Sequence, residues 1–207
     1  MYFTVTFTRP AARVEKWIRC VKEMFLVNAP VKCVGLDCEY TTAPKNVKQK
    51  YLPAEKRRRA AVLQLSVSYE NLVFQISKAD GVPDLLREFL REKEIIFCGA
   101  TINNNVRTLQ CYGIVIPNAR DLQSVIRNPT NIFSLGLYDL ANFYIGTNLS
   151  KKNTKIASIR QEGWDEVPLN VEQIRYAALD ARLGFEIARK YWKLVGYNSP
   201  QDRLNVV

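Results

Sequence analysis

Short apolar runs crowd the first half of this chain and helical periodicities its second, and that order restricts the fold more than any single motif does. Val31–Leu36, Ala61–Ser68, Leu72–Ile76 and Glu94–Cys98 are too short for typical helices and rich in β-branched or aromatic residues, so each reads as a strand. A fifth, shorter strand is expected to end at Asp121-Leu122. Over residues 12–26, Val14, Trp17, Ile18, Val21 and Phe25 recur at helical spacing, opposite Arg13, Lys16, Arg19, Lys22 and Glu23. Further helical patterns cover Val82–Glu92, Asn103–Tyr112, Leu135–Ile145 and Val171–Val195, the last with Asn170 placed to cap it. Strands first and helices mainly later predict an α/β domain in which a mixed central sheet is flanked by helices. A length of 207 residues, 47% of them hydrophobic, suits one such domain spanning 1–207 with a sizeable core. No apolar run approaches the roughly 20 residues of a membrane span, and MYFTVTFTRP lacks the pattern of a cleavable leader. A soluble, intracellular protein without a membrane partner is the expectation. Tyr2, Phe3, Val5 and Phe7 are expected to pair as an edge strand or to form an interface, which leaves a homo-oligomer open.

The chemistry available is limited by one number: the chain has no histidine. That removes Ser-His-Asp and Cys-His catalysis, histidine-based zinc sites and any histidine general base. The five cysteines (Cys20, Cys33, Cys38, Cys98, Cys111) contain no CxxC pair and are odd in number, so they read as reduced, mostly buried thiols. Carboxylates, Tyr, Lys or Cys must carry any reaction. The net charge of +10 predicts attraction to polyanions. Much of the surplus sits between Lys45 and Arg59, where Lys45, Lys48, Lys50, Lys56, Arg57, Arg58 and Arg59 face a single acid, Glu55. The segment reads as a nucleic-acid contact, against the plainer alternatives of a solvated loop or a localisation signal.

Two acidic segments stand out. In Asp37-Cys38-Glu39, residues i and i+2 of a strand share a face, so both carboxylates project together at its expected end. Such a pair suits a hard cation, Mg²⁺ or Mn²⁺, although a solvent-facing strand end would look the same. In YAALDA, Tyr176 and Asp180 are one helical turn apart on one face, among alanines small enough to let the helix lie close on a sheet. A buried tyrosine beside a hydrogen-bonded aspartate is the alternative there.

The order of three segments carries a resemblance. GLDCEY (Gly35–Tyr40), GATINNNVRTL (Gly99–Leu109) and SIRQEGWDEVPLNVEQIRYAALDA (Ser158–Ala181) resemble the three motifs of the DEDDy branch of the DnaQ-like, RNase H-fold 3′-5′ exonucleases. The similarity spans about 31–195 and is best to the Werner-syndrome-type exonuclease domain. In length and in its basic early segment the chain is most similar to the small plant exoribonucleases that clear RNA fragments from the RNA-induced silencing complex. The resemblance implies an RNase H-like fold and a two-metal hydrolysis of single-stranded nucleic acid, RNA favoured over DNA. Four acidic side chains of that family hold two Mg²⁺ or Mn²⁺ ions roughly 4 Å apart. By resemblance Asp37 bridges both ions, Glu39 and Asp180 complete the set, and Tyr176 orients or helps deprotonate the attacking water. It also implies a silencing-complex protein as a partner and a cytoplasmic setting, with the Lys56–Arg59 run as a route to the nucleus.

One position departs from the family pattern. Where the second motif carries an aspartate, counting from Ile102 to Leu109 places Asn105. A neutral amide can accept a hydrogen bond or ligate weakly through its carbonyl, so a weaker second ion and reduced activity are expected. Asn105→Asp is expected to raise activity at small cost in stability, in a site read as partly wet. The alternative that Asn105 supports is a catalytically inactive homologue that binds nucleic acid or a partner protein.

Overall fold

The computed structural model describes residues 3–42, 58–126, 135–150, 159 and 163–197. Six strands, β1 (Thr4–Thr8), β2 (Lys32–Thr42), β3 (Arg58–Val67), β4 (Glu70–Phe74), β5 (Ile95–Gly99) and β6 (Ala119–Asp121), form one sheet in the order β1-β4-β3-β2-β5-β6. β2, β3 and β4 run antiparallel in sequence, while β1 joins β4, β5 joins β2 and β6 joins β5, each in parallel. The sheet is therefore mixed, as the element order predicts. Of the amino-terminal apolar residues, Val5 and Phe7 lie in β1, an edge strand paired to this chain's own β4, while Phe3 precedes it and Tyr2 lies outside the described residues.

The first helix, α1 (Ala11–Val21), buries Val14, Trp17, Ile18 and Val21 and continues as a π-helical turn over Lys22–Leu26. Val27 N–H donates to the Lys22 carbonyl at 2.9 Å across that wider turn. Widening by one residue brings Phe25 and Leu26 inward together, and the Phe25 ring meets Tyr69 edge-on. Further α-helices among the described residues are α2 (Asp84–Arg91), α3 (Ile102–Leu109), a single turn α4 (Leu122–Val125), α5 (Leu137–Ile145) and α6 (Val171–Tyr191). No helix among the described residues is long and apolar enough to cross a membrane.

Helix α6 starts where Asn170 predicts. The Asn170 side chain accepts from Gln173 N–H at 2.8 Å and Gln173 Oε1 accepts from Asn170 N–H at 2.9 Å, a reciprocal cap. From there the helix lies directly on β2. A Cβ added at Gly35 would stand 2.1 Å from the Ala181 carbonyl oxygen, so only glycine lets the two backbones come this near. Ala177, Ala178, Ala181 and Gly184 keep the rest of that helix face small. Beyond α6, Tyr197 is fully buried and clamps the entry to β2: its hydroxyl accepts from Cys33 N–H and donates to the Val31 carbonyl, each at 2.6 Å.

Candidate active site

β2 does not end at the acidic pair. It runs on to Thr42 because β3 begins at Arg58, three residues before the expected Ala61, and supplies partners for Tyr40, Thr41 and Thr42. Arg58 and Arg59, the end of the segment for which a solvated loop is the plainer alternative, are strand. Pairing with β5, in contrast, stops at Gly35 and Cys98, so Asp37 and Glu39 lie past the carboxyl end of β5, where the sheet opens. A crevice outside the carboxyl ends of parallel strands is where open α/β sheets bind ligands. The pairing of β2 with β3 shifts register between Glu39 and Tyr40, with Ala61 as the extra residue on β3.

The close approach of α6 carries Asp180 to the same place. Oxygen atoms of Asp37, Glu39 and Asp180 all lie within 4.8 Å of one another, the first two half-buried and Asp180 buried. Three carboxylates so near repel one another unless a cation or protons sit among them, and an all-oxygen donor set matches Mg²⁺ or Mn²⁺. The residues present therefore fit a divalent ion. Tyr176, one turn before Asp180, hydrogen-bonds its carboxylate. Burial first, then the charges of Asp180 and Glu39, push the Tyr176 phenol far above its ordinary value. It is a neutral donor, which fits orienting a water better than deprotonating one. Trp164, buried from the loop before α6, sets a tilted ring 6.1 Å from that of Tyr176. Gln75 holds this loop by donating to the Glu166 carbonyl at 2.6 Å.

Asn105 enters from α3. It is 1% exposed, and its amide nitrogen donates to Asp37 Oδ1 at 2.8 Å, while the Tyr40 hydroxyl donates to its carbonyl oxygen. Of the two roles open to the amide carbonyl, the structure shows the hydrogen-bond acceptor, turned to Tyr40, and Asn105 itself is buried although Asp37 and Glu39 beside it are half-buried. Cys38, between the two acids, is buried with its thiol pushed up by desolvation, and all five cysteines are free.

Asp37, Glu39, Tyr40, Tyr176 and Asp180 line a cavity of about 340 Å³. Its far wall comes from Thr101 and Asn104 at the start of α3, Gln123 after β6, and Leu137 and Tyr138 at the start of α5. Gln123 ties two of these together, accepting from Thr101 N–H at 3.1 Å and donating to the Leu135 carbonyl at 2.6 Å. Thr101 and Asn104 fall inside the second motif, and Tyr138 inside a helix whose pattern was legible; Gln123 carries no sequence signal. Of the basic segment, Arg58 lines the cavity with its guanidinium carbon 3.9 Å from the centre of the Tyr40 ring, and Arg59 is exposed. Lys45, Lys48, Lys50, Lys56 and Arg57 lie outside the described residues.

A family model described as 3′-5′ exonuclease matches residues 12–195. The chain is 30% identical over 164 residues to the mouse bifunctional 3′-5′ exonuclease/ATP-dependent helicase WRN, covering 78% of this chain and 11% of that protein. It is 27% identical over 199 residues to the human exonuclease 3′-5′ domain-containing protein 2, covering 92% of this chain and 29% of the relative. It thus spans less than a third of either of these curated relatives. The crystal structure of the Nibbler EXO domain from Aedes aegypti superposes with a TM-score of 0.65 at 16% identity, over 91% of this chain and 87% of that one, and shares the fold. A mixed sheet, three carboxylates at its open end and a family match over most of the sequence agree: this chain belongs to the 3′-5′ exonuclease family.

Proposed function

We propose that this protein is a divalent-metal-dependent nuclease that removes nucleotides from the 3′ end of single-stranded nucleic acid. The observation that carries the reading is the convergence of Asp37, Glu39, Asp180 and Tyr176 on one open cavity. A divalent ion held by the three carboxylates would activate water and neutralise charge developing on the phosphodiester. Asp37 and Glu39 hold their oxygens toward the cavity from a strand fixed on one side by β3 and covered by α6. Tyr176, kept neutral and set by Asp180 and Trp164, orients the attacking water. Arg58 lines the cavity where a substrate phosphate would enter, and in sequence it belongs, with Arg59, to the basic segment of Lys45, Lys48, Lys50 and Arg57 proposed to contact nucleic acid. RNA is favoured over DNA on the similarity to the small plant exoribonucleases, which also motivates a silencing-complex partner and a cytoplasmic setting.

Asn105 favours a second reading, a homologue that binds nucleic acid without cutting it. Incubating purified protein with end-labelled single-stranded RNA and DNA of one sequence in Mn²⁺ separates the two. Stepwise shortening from the 3′ end, faster on RNA and abolished in Asp37→Ala, is expected. Retention of both oligonucleotides at full length, with binding intact, would establish the second reading instead.

A further inference from the structure

We infer that Tyr40 and Asn105 form a positioning relay for Asp37: Asn105 is a hydrogen-bond strut that aims the Asp37 carboxylate, and Tyr40 is what holds the strut in its working orientation. The inference rests on the metal-site reading above and adds a function for two residues outside the carboxylate set.

An ionised carboxylate accepts hydrogen bonds and donates none, so the group that Asn105 presents to Asp37 Oδ1 at 2.8 Å has to be its NH₂. This fixes the amide without reliance on which atom is labelled nitrogen. The carbonyl oxygen then points the other way and needs a donor, since the side chain is 1% exposed and water does not reach it. The Tyr40 hydroxyl supplies that donor. Tyr40 is itself held from β3, where the Arg58 guanidinium carbon lies 3.9 Å from its ring centre. The relay therefore runs from Tyr40 through Asn105 to Asp37, joining β2 to α3 and back to β2. One oxygen of Asp37 is committed to the amide, and the carboxylate is prevented from turning about its own bond. Groups that orient a metal ligand from behind in this way commonly matter to affinity nearly as much as the ligands do. Without the Tyr40 hydroxyl, the amide has no buried partner for its carbonyl and no reason to keep its NH₂ toward Asp37.

Tyr40→Phe keeps the ring, its packing and the stack with Arg58, and deletes only the donor. Mn²⁺ binding to the full chain without nucleic acid, followed by electron paramagnetic resonance of the free ion, is the direct readout. Tyr40→Phe is expected to weaken Mn²⁺ binding roughly tenfold with metal-free thermal unfolding almost unchanged. Asn105→Ala should weaken it by a similar factor, and Tyr40→Phe added to Asn105→Ala should weaken it no further, because the hydroxyl acts only through the amide. Where Asn105→Ala folds poorly, Asn105→Ser takes its place in the cycle. Wild-type affinity in Tyr40→Phe, or losses that multiply in the double variant, would overturn the relay. Asp37→Ala separates the two levels: its Mn²⁺ binding should be lost, and if it binds as wild type the carboxylate site and the relay fall together.

Discussion

At the scale of single residues, the informative position is the one where the family pattern breaks. Asn105 is buried and bonded at both ends, so replacing it by Asp is a different experiment from adding a charge at a wet surface. Asn105→Asp would put a carboxylate within hydrogen-bond distance of Asp37 with no proton between them. Two like charges that close need a cation or a shared proton. Metal-free Asn105→Asp should accordingly be less stable by about 3 kcal/mol, a fall in Tm of roughly 6–12 °C. Mn²⁺ should restore more stability to it than to wild type. Cleavage should lag wild type at limiting Mn²⁺ and exceed it at saturating Mn²⁺, because the fourth carboxylate then acts as a ligand. A Tm unaffected by the substitution in metal-free buffer would show that the amide is not pressed against Asp37. The identity of Asn105 as the odd residue was legible from motif spacing alone. Its partners were not, because the Tyr40 and Asp37 contacts span 65 and 68 positions and depend on how α3 packs beside β2.

Among the elements, α6 on β2 decides whether there is a site at all. The helix was legible nearly to its cap, since Asn170, the small residues and the Tyr176/Asp180 spacing are local features. The strand was legible in position and too short in extent, because its final residues are polar and are held there by β3 rather than by their own propensity. Gly35→Ala tests the contact. The new Cβ would meet the Ala181 carbonyl at 2.1 Å, and neither backbone can yield without lifting the helix. A destabilisation of at least about 3 kcal/mol in urea unfolding is expected, with weaker Mn²⁺ binding because Asp180 rides on the displaced helix. Within the same helix, Glu186 accepts from Arg189 at 2.9 Å and pairs with Arg182, all three side chains largely buried.

For the whole molecule, charge and topology act together. The +10 surplus is enriched in the segment leading into β3, whose first residue, Arg58, already lines the cavity. Each phosphate neutralised on a single strand adds about −0.7 to the slope of log K against log salt, so three or four contacts give roughly −2 to −3. Replacing Arg57, Arg58 and Arg59 together by Ala should flatten that slope and weaken binding without preference for sequence. An unchanged slope in filter-binding titrations would put the nucleic-acid path elsewhere, with Lys151, Lys152 and Lys155 the next candidates. Topology adds a consequence that concerns the making of the protein. β2 is built well before α6, yet the clamp at its entry bonds Tyr197 to Cys33, 164 positions away, and the carboxylate that closes the site arrives on α6. A chain leaving the ribosome carries Asp37 and Glu39 through the synthesis of everything between β2 and α6 with no Asp180 to face them. The message being read thus lies beside a protein whose ion site does not yet exist, and the site comes into being only once α6 has left the exit tunnel.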